Sequence, residues 1–217
     1  MVPIISIVGK SGSGKTTLIV KVVSELRRRG YSVGVLKHDA HGFEIDHEGK
    51  DSWRHKQAGA GTVALSSSEK FAVIKDVERE WPPERIIHSY LSDLDVVITE
   101  GYKKSDFPKI EVLRKANSTK PIFSGDRRLL AYVTDVRLKG KTPVYGLDDF
   151  KGVTDLIEDR IIKSHVGGNV SLVVDGNHIP LKPFIDELLG EGIKGMIRSL
   201  KGCAEACEID IKVRRRR

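Results

Sequence analysis

The sequence has few cysteines and no long apolar runs. Its 217 residues include two cysteines, Cys203 and Cys207, too few for the disulfide framework of a small secreted domain or for the about four ligands of a structural zinc site. No apolar stretch approaches the roughly 20 residues that span a bilayer, and no basic signal-peptide segment precedes the first predicted strand. These absences argue against a membrane protein and a disulfide-rich domain, and they predict a cytoplasmic protein.

Positive charge is in excess, but much of it is concentrated at one end. The net charge is +7, and Arg214 to Arg217 supply four of those charges. A basic segment that binds single-stranded nucleic acid typically interleaves aromatic residues with the charged ones, yet aromatic residues make up 6% of the chain and none lies in this tail. We interpret the tail as a solvated terminus, and the composition disfavours nucleic acid as a partner.

A glycine-rich segment near the N-terminus carries the strongest motif. Residues 9–16, GKSGSGKT, match the pattern G-x-x-x-x-G-K-[ST] in full, after an apolar strand and before a helix. Glycines let the backbone curl so that successive N–H groups point at phosphate oxygens, and the start of the helix adds its positive end. The sequence therefore predicts a phosphate site for GTP or ATP with Mg²⁺, formed by Gly9, Ser11, Gly12, Ser13, Gly14, Lys15, Thr16 and Thr17. In it, Lys15 neutralises phosphate charge and Thr16 ligates the metal.

Strand and helix patterns alternate along the chain. Residues 4–8 and 32–37 read as buried strands on either side of an amphipathic helix at 15–29, which together form the βαβ unit of a parallel sheet. Further strands are predicted at residues 62–65, 71–75, 94–100, 109–113, 129–134 and 144–145, and further helices at 52–58, 82–91 and 153–163. The predicted fold class is α/β: a P-loop NTPase with a mostly parallel central sheet flanked by helices, plus a small α+β C-terminal module.

The pattern changes after Gly167-Gly168-Asn169, which is the best candidate for a domain boundary. Residues 170–174 and 178–181 resemble a hairpin, a helix is predicted at 183–200, and residues 208–213 alternate as a strand. Three glycines, Gly190, Gly192 and Gly195, weaken that helix. We expect a nucleotide-binding domain over residues 1–164 and a ββαβ module over 165–217.

Two acids are candidates for the metal site. Glu100 ends an apolar strand at the edge of the sheet where ligands of parallel sheets bind, so we interpret it as a metal-side or water-positioning acid. Asp39 follows the second strand and is the other candidate. The alternatives are that Glu100 only caps a turn and that Asp39 is an ordinary loop acid. Asp95, at the opposite end of its strand, is predicted to be structural.

The chain resembles a known family through four segments. These are the phosphate loop from Gly9 to Thr17; KHDAH at 37–41 with GKDSWR at 49–54 and AGA at 58–60; EGYK at 100–103 with PKIEV at 108–112; and AYVTD at 131–135. They resemble the molybdopterin-guanine dinucleotide biosynthesis adaptors, the MobB family, over residues 4 to about 163. The resemblance implies a GTP-binding protein with weak GTPase activity, commonly a homodimer, which assists the MobA-type guanylyltransferase that joins GMP to molybdopterin.

Two parts of the predicted site are less clearly defined: the residue that recognises the nucleotide base, and the loop that follows the second predicted strand. The sequence lacks the N-K-x-D motif that usually reads guanine; Asp135 follows a strand and is either a reader of the guanine edge or the cap of a turn. Lys37, His38, His41 and Arg54 are candidates for a second anionic ligand, such as molybdopterin or its dinucleotide, or for an acidic partner surface. Zinc at His38 and His41, and a solvated loop without recognition, are the alternatives.

One other function is consistent with the phosphate loop. A P-loop kinase would transfer the γ-phosphoryl group to a small acceptor, and it would usually carry an arginine-rich lid. Outside the first helix and the C-terminal tail, Arg127-Arg128 is the one candidate pair. The kinase therefore remains the alternative to the adaptor.

Overall fold

The computed structural model describes residues 2–39, 42–165, 170–175, 177–179, 181–205, 209, 211 and 213. Several sequence predictions lie outside the described residues, in whole or in part. They concern His41, the boundary at Gly167-Gly168-Asn169, Cys207, the strand at 208–213 and the tail from Arg214 to Arg217.

Ten strands and five helices are found among the described residues. The strands are β1 (Ile4–Gly9), β2 (Val33–Lys37), β3 (Thr62–Ser66), β4 (Phe71–Lys75), β5 (Val96–Glu100), β6 (Lys109–Leu113), β7 (Leu129–Thr134), β8 (Val144–Tyr145), β9 (Leu172–Val174) and β10 (Asn177–Ile179). The helices are α1 (Lys15–Arg28), α2 (Asp51–Gln57), α3 (Pro83–Tyr90), α4 (Phe150–Ile157) and α5 (Pro183–Arg198). A π-helical turn, Glu158–Ile162, continues α4.

The central sheet has six strands in the order β2-β5-β1-β6-β7-β8, and every pairing in it is parallel. β1 lies between β5 and β6, with Ile5 opposite Ile98 and Ile7 opposite Ile110. Parallel strands all present their carboxyl ends at one edge, which is where the loops after β1, β2, β5 and β6 meet. The predicted α/β class is confirmed, and its strand order places the phosphate loop at the centre of that edge.

One face of the sheet packs against α1 and α4 and forms the main core. Apolar residues of β1, β5, β6 and β7 bury themselves there against Leu18, Val22 and Leu26 of α1 and Val153 and Ile157 of α4. The two helices are also joined by ion pairs at their ends. Arg29 lies 2.7 Å from Asp155 and 2.6 Å from Glu158, while its Nε lies 2.9 Å from Glu25.

On the opposite face, Ile4 of β1 and Val97 of β5 pack against Ile87 of α3. At β6 the same face carries polar residues beneath connections that contain no helix. Lys109 and Glu111 of β6 are fully buried there. The Lys109 ammonium donates to the carbonyl oxygens of Ser105 and Phe107, and the Glu111 carboxylate accepts the backbone N–H groups of Ile122 and Phe123. These two side chains hold the connections 101–108 and 114–128 against the sheet.

Some elements differ from the sequence expectation. The strands predicted at 62–65 and 71–75 are present as β3 and β4, and they form an antiparallel pair separate from the central sheet. β5 begins at Val96 rather than at Leu94, because Asp95 accepts hydrogen bonds of 2.7 Å from the N–H and hydroxyl of Ser32. α4 begins at Phe150, because Asp149 caps it through Gly152 N–H.

The C-terminal residues that are described form a β9–β10 hairpin and α5. β10 approaches α3, and Ser171 Oγ lies 3.1 Å from Nδ1 of His88 on α3. None of the helices in the described part of the chain is long and apolar enough to cross a membrane.

Candidate functional site

The loop between β1 and α1 adopts the conformation that its glycines permit. Gly12 and Gly14 have positive φ angles of 70° and 94°, in the left-handed region that favours glycine. At Gly9 a Cβ atom would lie 2.3 Å from the carbonyl oxygen of Val112 in β6. The loop therefore needs glycine both to turn and to lie close against the neighbouring strand.

Positive charge is concentrated around this loop. Lys15 Nζ donates to the carbonyl oxygen of Lys10 at 2.9 Å. Burial lowers the pKa of Lys15; Glu100 opposes this shift, and the ammonium groups of Lys103 and Lys37 add to it. Like charges held together in this way are relieved by an anion, so the arrangement favours phosphate binding.

Thr16 and Glu100 meet at the start of α1. The Thr16 hydroxyl is 2.9 Å and 3.1 Å from the two carboxylate oxygens of Glu100, which ends β5 next to β1. A hydroxyl and a carboxylate are the oxygen ligands that P-loop proteins offer to Mg²⁺. Asp39 lines the same cleft, and its carboxylate lies 3.9 Å from Lys37 Nζ.

A cleft of about 1350 Å³ extends from the phosphate loop across the carboxyl edge of the sheet. Its walls include Gly9, Ser11, Gly12, Gly14, Lys15, Thr16, Thr17, Lys37, His38, Asp39, Trp81, Glu100, Tyr102, Lys103 and Arg114. His38 is held on two sides, because its Nε2 lies 3.0 Å from Glu80 and its ring packs against Tyr102 with 5.0 Å between centroids. The phosphate loop and the start of the loop that follows β2 thus share one cavity.

The 114–128 connection contacts the phosphate loop from outside. Asn117 donates from its side-chain amide to the Ser11 carbonyl oxygen at 2.8 Å, and Lys10 Nζ donates to Ser118 Oγ at 3.0 Å. A Cβ atom on Gly12 would lie 3.2 Å from the same amide nitrogen of Asn117. The connection therefore limits the positions that the phosphate loop can adopt.

Three predicted site residues lie apart from this cleft or outside the described residues. Asp135 follows β7 and accepts the backbone N–H of Lys115 at 2.6 Å, which ties together the loops after β6 and β7. Arg54 is exposed on α2, with its guanidinium 3.9 Å from Asp51, and does not belong to the described cleft lining. His41 is among the residues that the structure does not describe.

Sequence reasoning missed several residues of the site. Lys103 and Arg114 follow the ends of β5 and β6, so the argument that selected Glu100 would also have selected them. Ser13, in contrast, was predicted by the motif; it is buried, and its hydroxyl lacks a hydrogen-bond partner among the described residues. Asn117 gave no signal in the sequence, since it lies in an irregular segment more than 100 residues from its partner.

Comparisons with known proteins agree with this geometry. Residues 4–135 match the family described as "Molybdopterin guanine dinucleotide synthesis protein B". The chain is 34% identical over 165 residues to a molybdopterin-guanine dinucleotide biosynthesis adapter protein of Haemophilus influenzae, covering 76% of this chain and 92% of the relative. It is also 28% identical over 233 residues to a putative adapter protein of Methanocaldococcus jannaschii, with 97% of each chain covered.

Solved structures show the same likeness. A crystal structure of molybdopterin-guanine biosynthesis protein B is 35% identical and superposes with a TM-score of 0.59, covering 72% of this chain and 97% of that one. The chain therefore belongs to the molybdopterin guanine dinucleotide synthesis protein B family.

Proposed function

We propose that the protein is a GTP-binding adaptor in molybdenum-cofactor biosynthesis, which assists attachment of GMP to molybdopterin. Nucleotide binding is inferred from the phosphate loop, which contains Lys15 and in which the Thr16 hydroxyl is hydrogen-bonded to Glu100. Membership of the family and the adapter relatives support the pathway. We place the protein in the cytoplasm, where this chemistry and its nucleotide are found.

The described residues fit a nucleotide with Mg²⁺. The cradle needs glycine at Gly9, Gly12 and Gly14, the Ser13 hydroxyl has no partner among the described residues, and Lys15 is bonded to a backbone oxygen that a phosphate can replace. Bound Mg²⁺ would neutralise phosphate charge, with Thr16 and Glu100 as its protein ligands.

We infer that any hydrolysis is slow. Both carboxylate oxygens of Glu100 accept from the Thr16 hydroxyl, which favours the metal-side role for Glu100 over the positioning of a water molecule. We therefore propose that Glu100 holds the metal and that the site binds nucleotide and turns it over weakly. Slow hydrolysis suits an adaptor, because an adaptor acts by forming a complex with its partner and not by releasing a chemical product.

The size of the cleft supports a second ligand. At about 1350 Å³ it exceeds the roughly 300–1,000 Å³ of an ordinary small-molecule pocket. Its part beyond the phosphate loop includes His38 and Trp81, and the Arg85 guanidinium stacks 3.8 Å from the centroid of the Trp81 ring. We propose that this part takes molybdopterin or its dinucleotide, or the surface of a MobA-type guanylyltransferase.

A second copy of the chain is the other expected partner. The β3–β4 hairpin is two-stranded, and such a hairpin is marginally stable alone. Leu65 and Phe71 on it are exposed, as is Phe43 in the preceding loop. Burial of this apolar surface would stabilise the hairpin, so we propose that it contributes to a homodimer.

Nucleotide titration tests the core of the proposal. Wild-type protein with Mg²⁺ should bind GTP more tightly than ATP, and Lys15→Ala should remove binding while the protein stays folded. Lys151→Ala, on the exposed side of α4, is the matched control and should bind as the wild type does. Equal affinity for GTP and ATP would favour the kinase, and GTP binding by Lys15→Ala would contradict the site.

The division into two units is also a proposal. A chain that ends near Lys163 retains β1 to β8 and the whole cleft. We expect it to bind GTP with the affinity of the full chain. Loss of binding would show that residues 165–217 belong to the folding unit of the nucleotide domain.

A further inference from the structure

Arg114 is a cation of the cleft wall whose side chain has no bonded partner. It directly follows Leu113, the last residue of β6, and it is exposed in the cleft that contains the phosphate loop. No hydrogen bond or ion pair joins its guanidinium to another residue of the described chain. Hydrogen bonding to Lys21 and, to a smaller extent, the charge of Arg114 lower the pKa of Asp148, but that carboxylate is already paired with Lys21 at 2.9 Å. The guanidinium is therefore available to a ligand.

The backbone that carries Arg114 is fixed, in contrast to its side chain. The carbonyl oxygen of Arg114 accepts the backbone N–H of Asn117 at 2.8 Å, which closes a turn. The N–H of Lys115 donates to Asp135 at 2.6 Å, and the Asn117 amide ties the turn to the Ser11 carbonyl oxygen. A group on a fixed backbone loses less conformational freedom when it binds a ligand, so the turn presents Arg114 to the cleft in a prepared position.

The metal ligands indicate which way a nucleotide lies in the phosphate loop. Thr16 and Glu100 meet on the side of β1 where β5 lies, and the Mg²⁺ that accompanies a nucleoside triphosphate bridges its β- and γ-phosphates. The terminal phosphates therefore lie toward β5. β6 borders β1 on the opposite side, so the nucleoside end of the phosphate chain extends toward β6 and the residue that follows it, Arg114.

The cations of the cleft divide in the same way. Lys37 ends β2 and Lys103 follows β5, and both lie on the metal side of the phosphate loop. Burial lowers the pKa of Lys15 most, and the charges of Lys103 and Lys37 add to that shift, so both are close to the lysine of the phosphate loop. Arg114 lies on the other side. A guanidinium binds phosphate oxygens through a planar fork and also stacks on flat rings, which suits the junction of an α-phosphate and a nucleoside.

We propose that Arg114 binds the nucleoside-monophosphate half of the nucleotide, and that Lys103, on the other side of the phosphate loop, contacts the terminal phosphate. This inference rests on the proposed nucleotide binding and adds to it a direction and two residues that recognise the two ends of the ligand. The nucleoside-monophosphate half is common to GTP and GDP, whereas the γ-phosphate is present in GTP alone. The two ends can therefore be tested separately.

Isothermal titration of the full chain with GTP and with GDP, each with Mg²⁺, tests the direction. Arg114→Ala should weaken both nucleotides about ten-fold, because a charge-assisted contact common to both is lost. Lys103→Ala should weaken GTP about ten-fold but GDP less than about two-fold. Arg160→Ala is the matched control. Arg160 is exposed on the π-helical turn that continues α4, which lies at the far end of α1 from the phosphate loop, so this variant should bind both nucleotides as the wild type does.

A merely structural role for Arg114 is tested in parallel by urea denaturation. Because the side chain is exposed and has no bonded partner, Arg114→Ala should unfold as the wild type does, and Arg114→Lys, which keeps the charge, should recover part of the affinity. A less stable Arg114→Ala protein would point to a structural role and overturn the proposal. Wild-type affinity of Arg114→Ala for both nucleotides, or a loss confined to GTP, would also overturn it. Failure of the wild type to bind either nucleotide would instead contradict the proposed function itself.

Discussion

Asn117 offers a direct test of whether the 114–128 connection governs the phosphate loop. In Asn117→Ala the loop loses the 2.8 Å hydrogen bond to the Ser11 carbonyl oxygen. A neutral hydrogen bond contributes about 1 kcal/mol, and this one fixes the loop and not the core. We therefore expect GTP affinity to fall about five-fold, with the free energy of unfolding changed by less than about 0.5 kcal/mol because the residue is exposed.

Asn117→Asp should have a larger effect although the side chain keeps its shape. A carboxylate cannot donate to the Ser11 carbonyl oxygen, and it adds a negative charge beside the site of the phosphates. A like charge at close range costs at least about 1 kcal/mol more even in water, so the total loss in affinity should be about 30-fold.

The assay is isothermal titration of each variant with GTP and Mg²⁺, with urea denaturation in parallel. Thr119→Ala changes an exposed residue of the same connection and should titrate like the wild type. GTP binding by Asn117→Asp as tight as that of the wild type would refute the role given to this contact.

Three further predictions concern the structure around the site. Glu111→Gln keeps the volume of the buried side chain but removes the charge that accepts hydrogen bonds from the N–H groups of Ile122 and Phe123. Urea denaturation should therefore show a decrease of about 2 kcal/mol in the free energy of unfolding. A decrease below about 0.5 kcal/mol would contradict the role given to this carboxylate. Gly9→Ala would place Cβ 2.3 Å from a backbone oxygen at a positive φ and should destabilise the protein by about 3 kcal/mol, while Gly61→Ala, which meets no described atom within 4 Å, should be neutral. Hydrogen bonds from Arg29 and, to a smaller extent, Lys163 lower the pKa of Glu158 from 4.5 to about 2. Because the folded state binds this proton less readily, the contribution of Glu158 to the free energy of unfolding is fully present above pH 4.5 and is lost as the pH falls toward 2. Glu158→Gln should flatten that part of the stability profile, and Glu69→Gln on the β3–β4 turn should not.

The parts of the site that the sequence predicts are those in regular elements. β1, the glycine loop and α1 follow one another directly, and their signals are local: an apolar run, glycines at fixed spacing and helical periodicity. Glu100 was found because the end of an apolar strand marks the ligand-binding edge of a parallel sheet. These arguments require no knowledge of distant contacts.

The residues that escaped prediction depend on contacts between distant segments. Lys109 and Glu111 alternate with apolar residues in β6, which is the pattern of a strand with one solvent-exposed face. In the structure that face is covered by irregular connections, and both charges are buried as anchors for them. Neither the path of these connections nor the contact of Asn117 with Ser11 has a periodic signal, because loops are positioned by what they touch.

The strand order determines when the nucleotide site can form during synthesis. β1 is made first, but its two neighbours, β5 and β6, come about 90 and 105 residues later. At a synthesis rate of roughly 5–20 residues per second, the apolar strand β1 remains unpaired for about 5–20 seconds before either neighbouring strand has been made. Until then its edges are exposed to other chains, and the glycine loop cannot lie against Val112. A nascent chain interrupted before β6 should therefore neither retain nucleotide nor resist aggregation. We expect chaperones to matter most for this protein while the middle third of the chain is being synthesised.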